Sequence, residues 1–404
     1  MSNKNILVTA TTFPRWRNDT EPNFVFVLSR LLASHGHKVV ALAPHFHKAK
    51  KHEVIDNVNI YRFSYFFPYK LQKVCYEGGI FANLKRYKIA YIQLPLLVAF
   101  EFFNTIILIK KEKINVIHAH WTVPQGFLAY LCKKMFGVPY IVTAHAGDVF
   151  PLKNRLFRFL SYLAVSNSDF CTANSSYTKK ELEKISGQKK INIIPMGVDL
   201  KLFTQKNRNT SLRRKLGVKK ELILSVGRLA EKKGIKYLVM AMKDVVKEFP
   251  EAKLVVVGDG PERSNLEILT KKLKLDKNVL FAGGMENMHL PEFYATADLF
   301  VGPSIITESG DTEGLGVVFL EALASGTCVI GSNVGGIPDI LENNKTGLLV
   351  RQKDSKQLSA AIIKLLHNEK LRKSLALNGK RKVKKIYSWD LIGRKFNELI
   401  SQIK

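Results

Sequence analysis

The chain has 404 residues, of which 46% are hydrophobic, so its length and apolar content predict two folded domains and exclude a mainly disordered protein. Lys and Arg number 63 against 34 Asp and Glu, and the excess is present in both halves, which excludes a single basic tail. This charge attracts nucleic acid, anionic lipid or phosphorylated ligands, and it equally fits a lysine-rich solvated surface. The four cysteines form no closely spaced pair, which excludes a zinc ribbon and favours a reducing compartment; the start of the chain does not resemble a signal peptide.

Apolar runs of strand length alternate with helical patterns along the whole chain. Most runs are unbroken stretches of Val, Ile and Leu, which are typical of strands covered on both faces. Six strands are predicted in the first half, at residues 5–10, 38–44, 115–120, 140–145, 169–174 and 191–196. Five are predicted in the second half, at residues 222–227, 253–259, 279–283, 298–303 and 327–332, with helices at 234–249 and 262–273 between them.

Strands and helices in strict alternation predict βαβ units and parallel sheets. The two sets of strands therefore predict an α/β protein with two doubly wound, Rossmann-like domains facing each other across a cleft. The break between them falls near residues 197–199, which gives domains at 1–200 and 201–387. Ligands of such sheets bind beyond the carboxyl ends of the strands.

Residues 89–109 form a mostly apolar segment that is long enough to cross a bilayer. Pro95 and Glu101 lie within it, and a charged side chain is costly in lipid, so we expect a helix that is buried or faces a membrane surface. The preceding stretch, residues 61–91, mixes aromatic side chains with Lys and Arg. That mixture suits a membrane interface and equally suits an insertion that packs its aromatic side chains into its own core.

The motif with the clearest chemical content is Glu313-Gly-Leu-Gly-Val-Val-Phe-Leu-Glu321. A helix is predicted at 317–324, which places Glu313 in the preceding loop and Glu321 inside the helix. The glycines allow the backbone of Gly314, Leu315, Gly316 and Val317 to approach a ligand closely, and the N–H groups there form an anion cradle at the helix start.

The surroundings of this motif resemble the GT4-type retaining glycosyltransferases of the GT-B fold. The motif is preceded by Asp298-Leu-Phe-Val-Gly-Pro-Ser304 and followed by Gly335-Gly-Ile-Pro338. Val226-Gly-Arg-Leu-Ala-Glu-Lys-Lys-Gly234, Val257-Gly-Asp-Gly-Pro-Glu-Arg263 and Asn344-Lys-Thr-Gly-Leu-Leu349 resemble further family segments in the same order. The resemblance is specific over residues 225–350 and weaker over 1–140. It implies a C-terminal donor domain and an N-terminal acceptor domain that also receives the terminal helix, 388–404.

The reaction implied by this resemblance is transfer of a sugar from a nucleotide donor with retention at the anomeric carbon. Arg228 and Lys233 lie five residues apart around a strand-to-helix turn, so both could reach the diphosphate leaving group and stabilise its growing charge. By resemblance, Glu313 contacts hydroxyls of the transferred sugar and Glu321 holds the donor ribose. The turn from Gly283 to Met285 would face the base.

Histidines follow two predicted strands of the first half. His145 ends the strand at 140–145 and precedes Ala146-Gly-Asp148, which resembles the T-x-H-G-x-D stretch of the family with alanine in place of the first glycine. The resemblance implies that His145 contacts the donor sugar or lies beside the reaction centre. His118 and His120 point to one face of a strand, and because no Asp, Glu or Cys stands near them to complete a metal site, we expect His120 to line the cleft.

The first loop departs from the family pattern. Residues 13–20, Phe13-Pro-Arg-Trp-Arg-Asn-Asp-Thr20, contain no glycine where the family usually carries a Gly-Gly pair near the diphosphate. Either Arg15 or Arg17 would supply charge there, or the loop would serve the acceptor. No Asp-x-Asp occurs in the sequence, so we expect a metal-independent donor site.

Other classes of protein fit less well. A GT-B nucleotide-sugar epimerase lacks the Arg…Lys and Glu-x7-Glu set, a starch- or glycogen-type synthase has a lysine-rich glycine signature missing here, and no nucleic-acid-binding motif accompanies the charge. We therefore predict a metal-independent hexosyltransferase that uses a UDP-sugar in preference to a GDP-sugar. Its predicted acceptor is a lipid-linked glycan or polysaccharide of the cell surface. It would act in the cytoplasm, peripherally on an anionic inner membrane face, without a nucleic-acid partner.

Overall fold

The structure is a computed structural model that describes residues 3–17, 19, 23–150, 154–187 and 190–403, without the side chain of Phe81. Asn18 and Thr20 of the first loop therefore lie outside the described residues. The chain divides into two compact units. The first unit is Met1–Ile194 together with Trp389–Lys404, and the second is Pro195–Ser388.

The sheet of the first unit has eight strands in the order β3-β4-β2-β1-β5-β6-β7-β8. All neighbouring pairs are parallel except β3 and β4, which form an antiparallel edge hairpin. The six predicted strands are present, whereas the hairpin was not predicted because its polar, partly exposed residues do not form an unbroken apolar run. The strands are β1 Asn5–Thr9, β2 Lys38–Pro44, β3 His52–Ile55, β4 Val58–Phe63, β5 Val116–His120, β6 Tyr140–Ala144, β7 Phe170–Ala173 and β8 Ile191–Ile193.

The sheet of the second unit has six parallel strands in the order β11-β10-β9-β12-β13-β14. The chain runs from β9 outward to β11 and then returns to β12 on the other side of β9, so the topological switch point lies between β9 and β12. The strands are β9 Leu222–Val226, β10 Lys253–Val257, β11 Val279–Gly283, β12 Leu299–Gly302, β13 Cys328–Ser332 and β14 Leu348–Val350.

Helices connect these strands. In chain order they are α1 Phe24–Ser34, α2 Ile80–Arg86, α3 Ile89–Lys111, α4 Phe127–Phe136, α5 Arg155–Ser166, α6 Ser176–Ser186, α7 Thr210–Lys215, α8 Ile235–Glu248, α9 Arg263–Lys272, α10 Leu290–Thr296, α11 Val317–Ala324, α12 Ile337–Ile340, α13 Ser355–His367, α14 Glu369–Ile386 and α15 Trp389–Ser401. The helices predicted at 234–249, 262–273 and 317–324 are α8, α9 and α11.

The apolar strands of the first unit are covered by helices on both faces. Ile6 and Val8 of β1 belong to a core that includes residues of α1 and α15, whereas Leu7 belongs to a second core with residues of α3 and α4. In α15, Phe396 and Ile400 are fully buried in the first unit, and each contributes about 1.5–3 kcal/mol by burial. The last helix of the chain is therefore part of the first unit.

Helix α3 has an unusual distribution of polar and apolar side chains. It is long and apolar enough to cross a membrane by length and composition, and only 33% of its most apolar window is buried. The buried side carries the polar residues Gln93 and Glu101, whereas Ile92, Phe103 and Ile107 are 69%, 60% and 57% exposed. The apolar side chains of α3 thus lie mainly on the surface.

Most aromatic side chains of the stretch at 61–91 lie inside the first unit. Phe63, Tyr65 and Tyr76 are buried, and Tyr61 donates a hydrogen bond to Glu112 at 2.7 Å. Phe67, at 77% exposure, points to the surface. Most of the aromatic side chains thus pack into the unit's own core, whereas Lys70, Lys85, Arg86 and Lys88 of the same stretch are exposed.

Candidate active site

A small pocket lies at the switch point of the second sheet. It is lined by the end of β9, from Ser225 to Gly227, by Gly302 to Ser304 after β12, and by Lys233 and the start of α11. Loops at the carboxyl ends of strands on either side of a switch point form the usual ligand crevice of a doubly wound sheet.

Glycines allow the loops around this pocket to pack backbone against backbone. Gly258 has a φ of +136°, and a Cβ there would lie 2.0 Å from the carbonyl oxygen of Gly227. Its N–H donates to the carbonyl of Gly283 at 2.8 Å. The glycines of the 226–234 and 257–263 motifs therefore serve close packing of neighbouring strand ends.

Lys233 and Glu313 form an ion pair beside the pocket. The Nζ and Oε2 atoms are 2.5 Å apart, and the two side chains are only 19% and 14% exposed. Burial alone would raise the pKa of Glu313, but Lys233, Lys232 and the Ser304 hydroxyl outweigh it and lower the pKa below its usual range. Glu313 is therefore ionised at neutral pH, and it holds the ammonium group of Lys233 at the strand end.

Arg228 differs from Lys233 in its surroundings. It is exposed, and its side chain makes no ion pair within the described residues. Lys233 extends along the neighbouring glycine, because a Cβ at Gly227 would lie 3.4 Å from the Cε atom of Lys233. Lys233 thus lies next to the backbone that carries Arg228. Because the arginine side chain is exposed and makes no ion pair among the described residues, its charge is available to an anion.

Two glycines hold the loop that carries Glu313. A Cβ at Gly335, where φ is +56°, would lie 2.1 Å from the carbonyl oxygen of Glu313. The N–H of Gly336 donates to that same oxygen at 3.0 Å. Gly316, with a φ of +87°, precedes the first residue of α11, Val317, as the sequence predicted. The segment from Gly314 to Val317 therefore ends at a helix N-terminus.

Glu321 lies one turn inside α11 and faces Tyr294 of α10. The tyrosine hydroxyl donates to the Oε2 atom of Glu321 at 2.7 Å. Burial raises the pKa of Glu321 to about 7, although the tyrosine hydrogen bond and Lys233 oppose the rise. The partners of Glu313 and Glu321 that sequence reasoning missed are Ser304 and Tyr294; Ser304 lies in the conspicuous 298–304 motif, whereas no local pattern singles out Tyr294.

A wider, open pocket lies beside the turn that was predicted to face the base. It is lined by residues after β11 and around the start of α10, namely Gly284, Met285, Glu286, His289, Glu292 and Phe293. Gly283, with a φ of +78°, forms the turn itself. Sequence reasoning identified Gly283 and Met285 and missed the α10 side of this pocket.

The first unit brings His120 and His145 into direct contact. His120 Nδ1 and His145 Nε2 are 2.9 Å apart, and the two rings are nearly parallel. His120, which the sequence analysis expects to line the cleft, is 1% exposed within the first unit. Burial lowers the pKa of His145 to about 3, reinforced by His118, and it lowers the pKa of His120 well below its usual value.

Asp148 secures the backbone around His145. Its Oδ1 atom accepts from the N–H of His145 at 3.0 Å, and its Oδ2 atom accepts from the N–H of Thr122 at 2.7 Å. The aspartate of the predicted T-x-H-x-x-D segment is therefore a structural tie between the loops after β5 and β6. Among the described residues, no group of three or more His, Cys, Asp or Glu side chains is arranged to hold a metal ion.

The first loop uses Arg15 for its own structure. The guanidinium binds Asp19 through two hydrogen bonds of 2.7 and 2.8 Å. It also lies 4.6 Å from the ring centroid of Trp16 and 4.5 Å from that of Phe46. Of the two arginines considered for a ligand, Arg15 is thus engaged within its own loop. Arg17 is exposed and pairs with Asp56 at 3.0 Å.

The alanine that replaces a glycine after His145 has a left-handed backbone. Ala146 has a φ of 82°, which costs a residue with a Cβ about 1–2 kcal/mol. We expect Ala146→Gly to stabilise the protein by about 1 kcal/mol. The matched control, Ala144→Gly in the extended strand β6, should destabilise it by about 0.5–1 kcal/mol. Thermal unfolding of both variants checks the prediction, and a destabilised Ala146→Gly would contradict it.

Two Rossmann-like units in one chain are the architecture of the GT-B class of proteins. The model of the glycosyl transferases group 1 family matches residues 208–382, and that of glycosyltransferase family 4 matches residues 23–202. A GDP-mannose-dependent phosphatidylinositol monomannoside mannosyltransferase of Mycobacterium tuberculosis is 31% identical over 72% of this chain and 77% of its own length.

Solved structures share the fold. The sucrose-phosphate synthase of Thermosynechococcus elongatus superposes with a TM-score of 0.80 at 23% identity, covering 99% of both chains. Anabaena HepE in complex with UDP-glucose superposes with a TM-score of 0.74 at 18% identity, covering 99% of this chain and 100% of its own. The chain belongs to the GT4 family of retaining glycosyltransferases, which have the GT-B fold and use nucleotide sugars.

Proposed function

We propose that this glycosyltransferase moves a hexose from a UDP-sugar to a lipid-linked or polysaccharide acceptor in cell-surface glycan synthesis. The observation that carries the donor side of the proposal is the Lys233–Glu313 pair at the switch-point pocket, with the charge of Arg228 beside it. A UDP-sugar is supported by HepE, a fold relative with bound UDP-glucose. A lipid-linked acceptor is supported by the named acceptor of the mycobacterial relative.

In the proposed chemistry, positive side chains lie where negative charge develops on the leaving diphosphate. Arg228 and Lys233 would bind the diphosphate, which becomes more negative as the glycosidic bond to the donor breaks. Glu313 would accept from hydroxyls of the transferred sugar while it holds Lys233, and Glu321 would accept from the ribose. His145 would act at the transferred sugar. We expect neither glutamate to serve as a nucleophile, so retention at the anomeric carbon would require the acceptor to enter on the face that the nucleotide leaves.

A ligand panel tests the donor assignment. Each of UDP, GDP, ADP and their sugars would be added to the full chain in a thermal-shift assay, with and without EDTA. A ligand at 100 times its Kd stabilises the folded protein by about 2.7 kcal/mol. We expect the largest shift with a UDP-sugar, and we expect the shift and donor turnover to persist in EDTA because the two cations take the place of a metal. A shift with GDP-sugars alone, or complete loss of turnover in EDTA that Mg²⁺ restores, would contradict the respective assignment.

The surface of the first unit supports a place at a membrane. Besides α3, exposed apolar side chains occur at the end of α4 and along α5, namely Met135, Phe136, Leu156, Phe159 and Tyr162. Cations flank them: the Nζ atom of Lys110 lies 5.7 Å from the ring centroid of Phe136, and Arg155 and Arg158 are exposed on α5. Apolar side chains bordered by cations suit the interface of an anionic bilayer. This surface supports the proposal that the enzyme lies peripherally on the cytoplasmic membrane face.

Vesicle sedimentation tests this placement. We expect the protein to sediment with vesicles that contain anionic lipid, to bind neutral vesicles weakly and to be released by high salt. The substitutions Ile92→Ser and Phe103→Ser should each weaken vesicle binding roughly tenfold or more, because each apolar side chain would be buried in the bilayer interface. Replacing Lys70, Lys73, Lys85, Arg86 and Lys88 with Gln should weaken it further, since each contributes about 1 kcal/mol of attraction near the surface.

The second unit offers a matched control. Ile268, on α9, is 66% exposed, close to the 69% of Ile92. Ile268→Ser should leave vesicle binding unchanged. Equal loss in both variants, or no binding of the wild type to anionic vesicles at low salt, would contradict the membrane placement and favour a soluble acceptor.

A further inference from the structure

His120, which is buried, and His145, which is half-buried, form an imidazole pair that shares one hydrogen bond. The bond joins Nδ1 of His120 to Nε2 of His145 at 2.9 Å. The other ring nitrogen of each residue, Nε2 of His120 and Nδ1 of His145, is buried and has no hydrogen-bond partner. The pair therefore has one internal contact and two unused polar atoms.

The chemistry of neutral imidazole couples the two rings. A neutral imidazole carries one N–H and one bare nitrogen, and burial keeps both rings neutral. If His120 donates from Nδ1, His145 accepts at Nε2 and must carry its own proton on Nδ1. If the donor is His145, its Nδ1 is the acceptor. The hydrogen-bonding character of His145 Nδ1 is therefore set by the tautomer of His120.

The other polar neighbours of the pair are occupied elsewhere. His118 lies on β5 together with His120. Its Nε2 atom forms a hydrogen bond with the Thr143 hydroxyl at 2.8 Å. That hydroxyl in turn contacts the hydroxyl of Thr172 at 2.8 Å. Asp148 binds the backbone N–H of His145 and leaves its ring to His120. Within the described residues, the polar contact of the His145 ring is thus the one with His120.

We infer that His120 is a positioning residue that fixes the tautomer and ring orientation of His145. The inference rests on the proposed function in one respect, since it takes His145 as a group that acts at the transferred sugar. His120 is buried and would act through His145, since its tautomer determines whether Nδ1 of His145 is a donor or an acceptor. A buried second residue that holds a functional histidine in one tautomer is a general device for preorganised sites.

The first test reads the tautomer directly. ¹⁵N-histidine spectra of the full chain, without any substrate, should show His145 in one tautomer, with separate protonated and bare nitrogen signals. Asn and Gln provide matched replacements of His120, because the Asn amide occupies the place of Nδ1 and the Gln amide that of Nε2. In His120→Asn the single tautomer should persist. In His120→Gln the two His145 signals should move toward the averaged position of exchanging tautomers.

The second test reads the consequence for turnover of the donor identified by the ligand panel, measured as nucleotide release. We expect His120→Gln to lower kcat on the order of 10²-fold with little change in donor KM, as misplacement of a catalytic group does. His120→Asn should recover most of this loss. His118→Gln controls for disturbance of the core, because the glutamine keeps a polar atom toward Thr143. This variant should leave the His145 spectrum and the turnover close to wild type.

The outcomes separate this inference from the proposed function. A single His145 tautomer that persists in His120→Gln overturns the inference, whatever the activity. Equal turnover in His120→Asn and His120→Gln overturns it as well when His145→Ala lowers turnover. A tautomer that depends on His120 supports the inference even if His145→Ala retains full turnover, and that last result would instead contradict the role proposed for His145.

Discussion

Replacing Lys233 or Arg228 with alanine is expected to lower turnover on the order of 10²-fold or more. Both cations are assigned to the diphosphate, and the loss of one preorganised charge at a developing anion has an effect of this size. Lys233→Ala should have a second effect, because it removes the ion-pair partner of Glu313, whose side chain is only 14% exposed. The pKa of Glu313 should rise, and the variant should unfold at a lower temperature than Arg228→Ala.

Steady-state kinetics and thermal unfolding of the same samples check both effects. Lys236→Ala is a suitable control, because Lys236 is an exposed cation on α8. Its Nζ atom lies 5.1 Å from the ring centroid of Tyr237. Its turnover and unfolding temperature should match those of the wild type. If Arg228→Ala and Lys233→Ala both retain near-wild-type turnover, the diphosphate site has been assigned wrongly.

Gly335→Ala is expected to destabilise the second unit by roughly 3 kcal/mol or more and to reduce turnover sharply. The left-handed φ of +56° disfavours any side chain, and the new Cβ would lie 2.1 Å from the carbonyl oxygen of Glu313. Because the neighbouring atom belongs to the backbone, the loop that carries Glu313 must move. The displacement would separate Glu313 from Lys233 and disturb the start of α11.

Chemical unfolding and donor turnover measure this pair of effects. Gly284→Ala is the stability control, since a Cβ there has no atom within 4 Å and its φ is not in the left-handed region. We expect its stability to remain within about 0.5 kcal/mol of wild type. A Gly335→Ala variant as stable as Gly284→Ala would show that the 335–336 turn does not hold the Glu313 loop.

The sequence by itself determined the architecture and the position of the motifs at 226–234 and 313–321 within it. Unbroken apolar strands between helical patterns predicted two parallel sheets, because a strand buried on both faces leaves that pattern in any sequence. The helix start at Val317 and the loop position of Glu313 also followed from local features, since glycines and apolar periodicity act over a few residues. Features that depend on local backbone conformation, such as this loop and helix start, could therefore be predicted from the motifs themselves.

Only the tertiary structure decided which side chains meet. Lys233 and Glu313 are separated by 80 positions, and the apposition of His120 and His145 depends on the pairing of β5 with β6. Contacts of this kind depend on strand order and rotamers, which no local pattern encodes. Arg15 illustrates the same limit: the sequence left open whether Arg15, Arg17 or neither supplies charge to a ligand, and the fold places Arg15 against Asp19 and two aromatic rings. Composition likewise identified α3 as apolar. Only the fold shows that Gln93 and Glu101 of this helix face the interior, so that its apolar side lies on the surface.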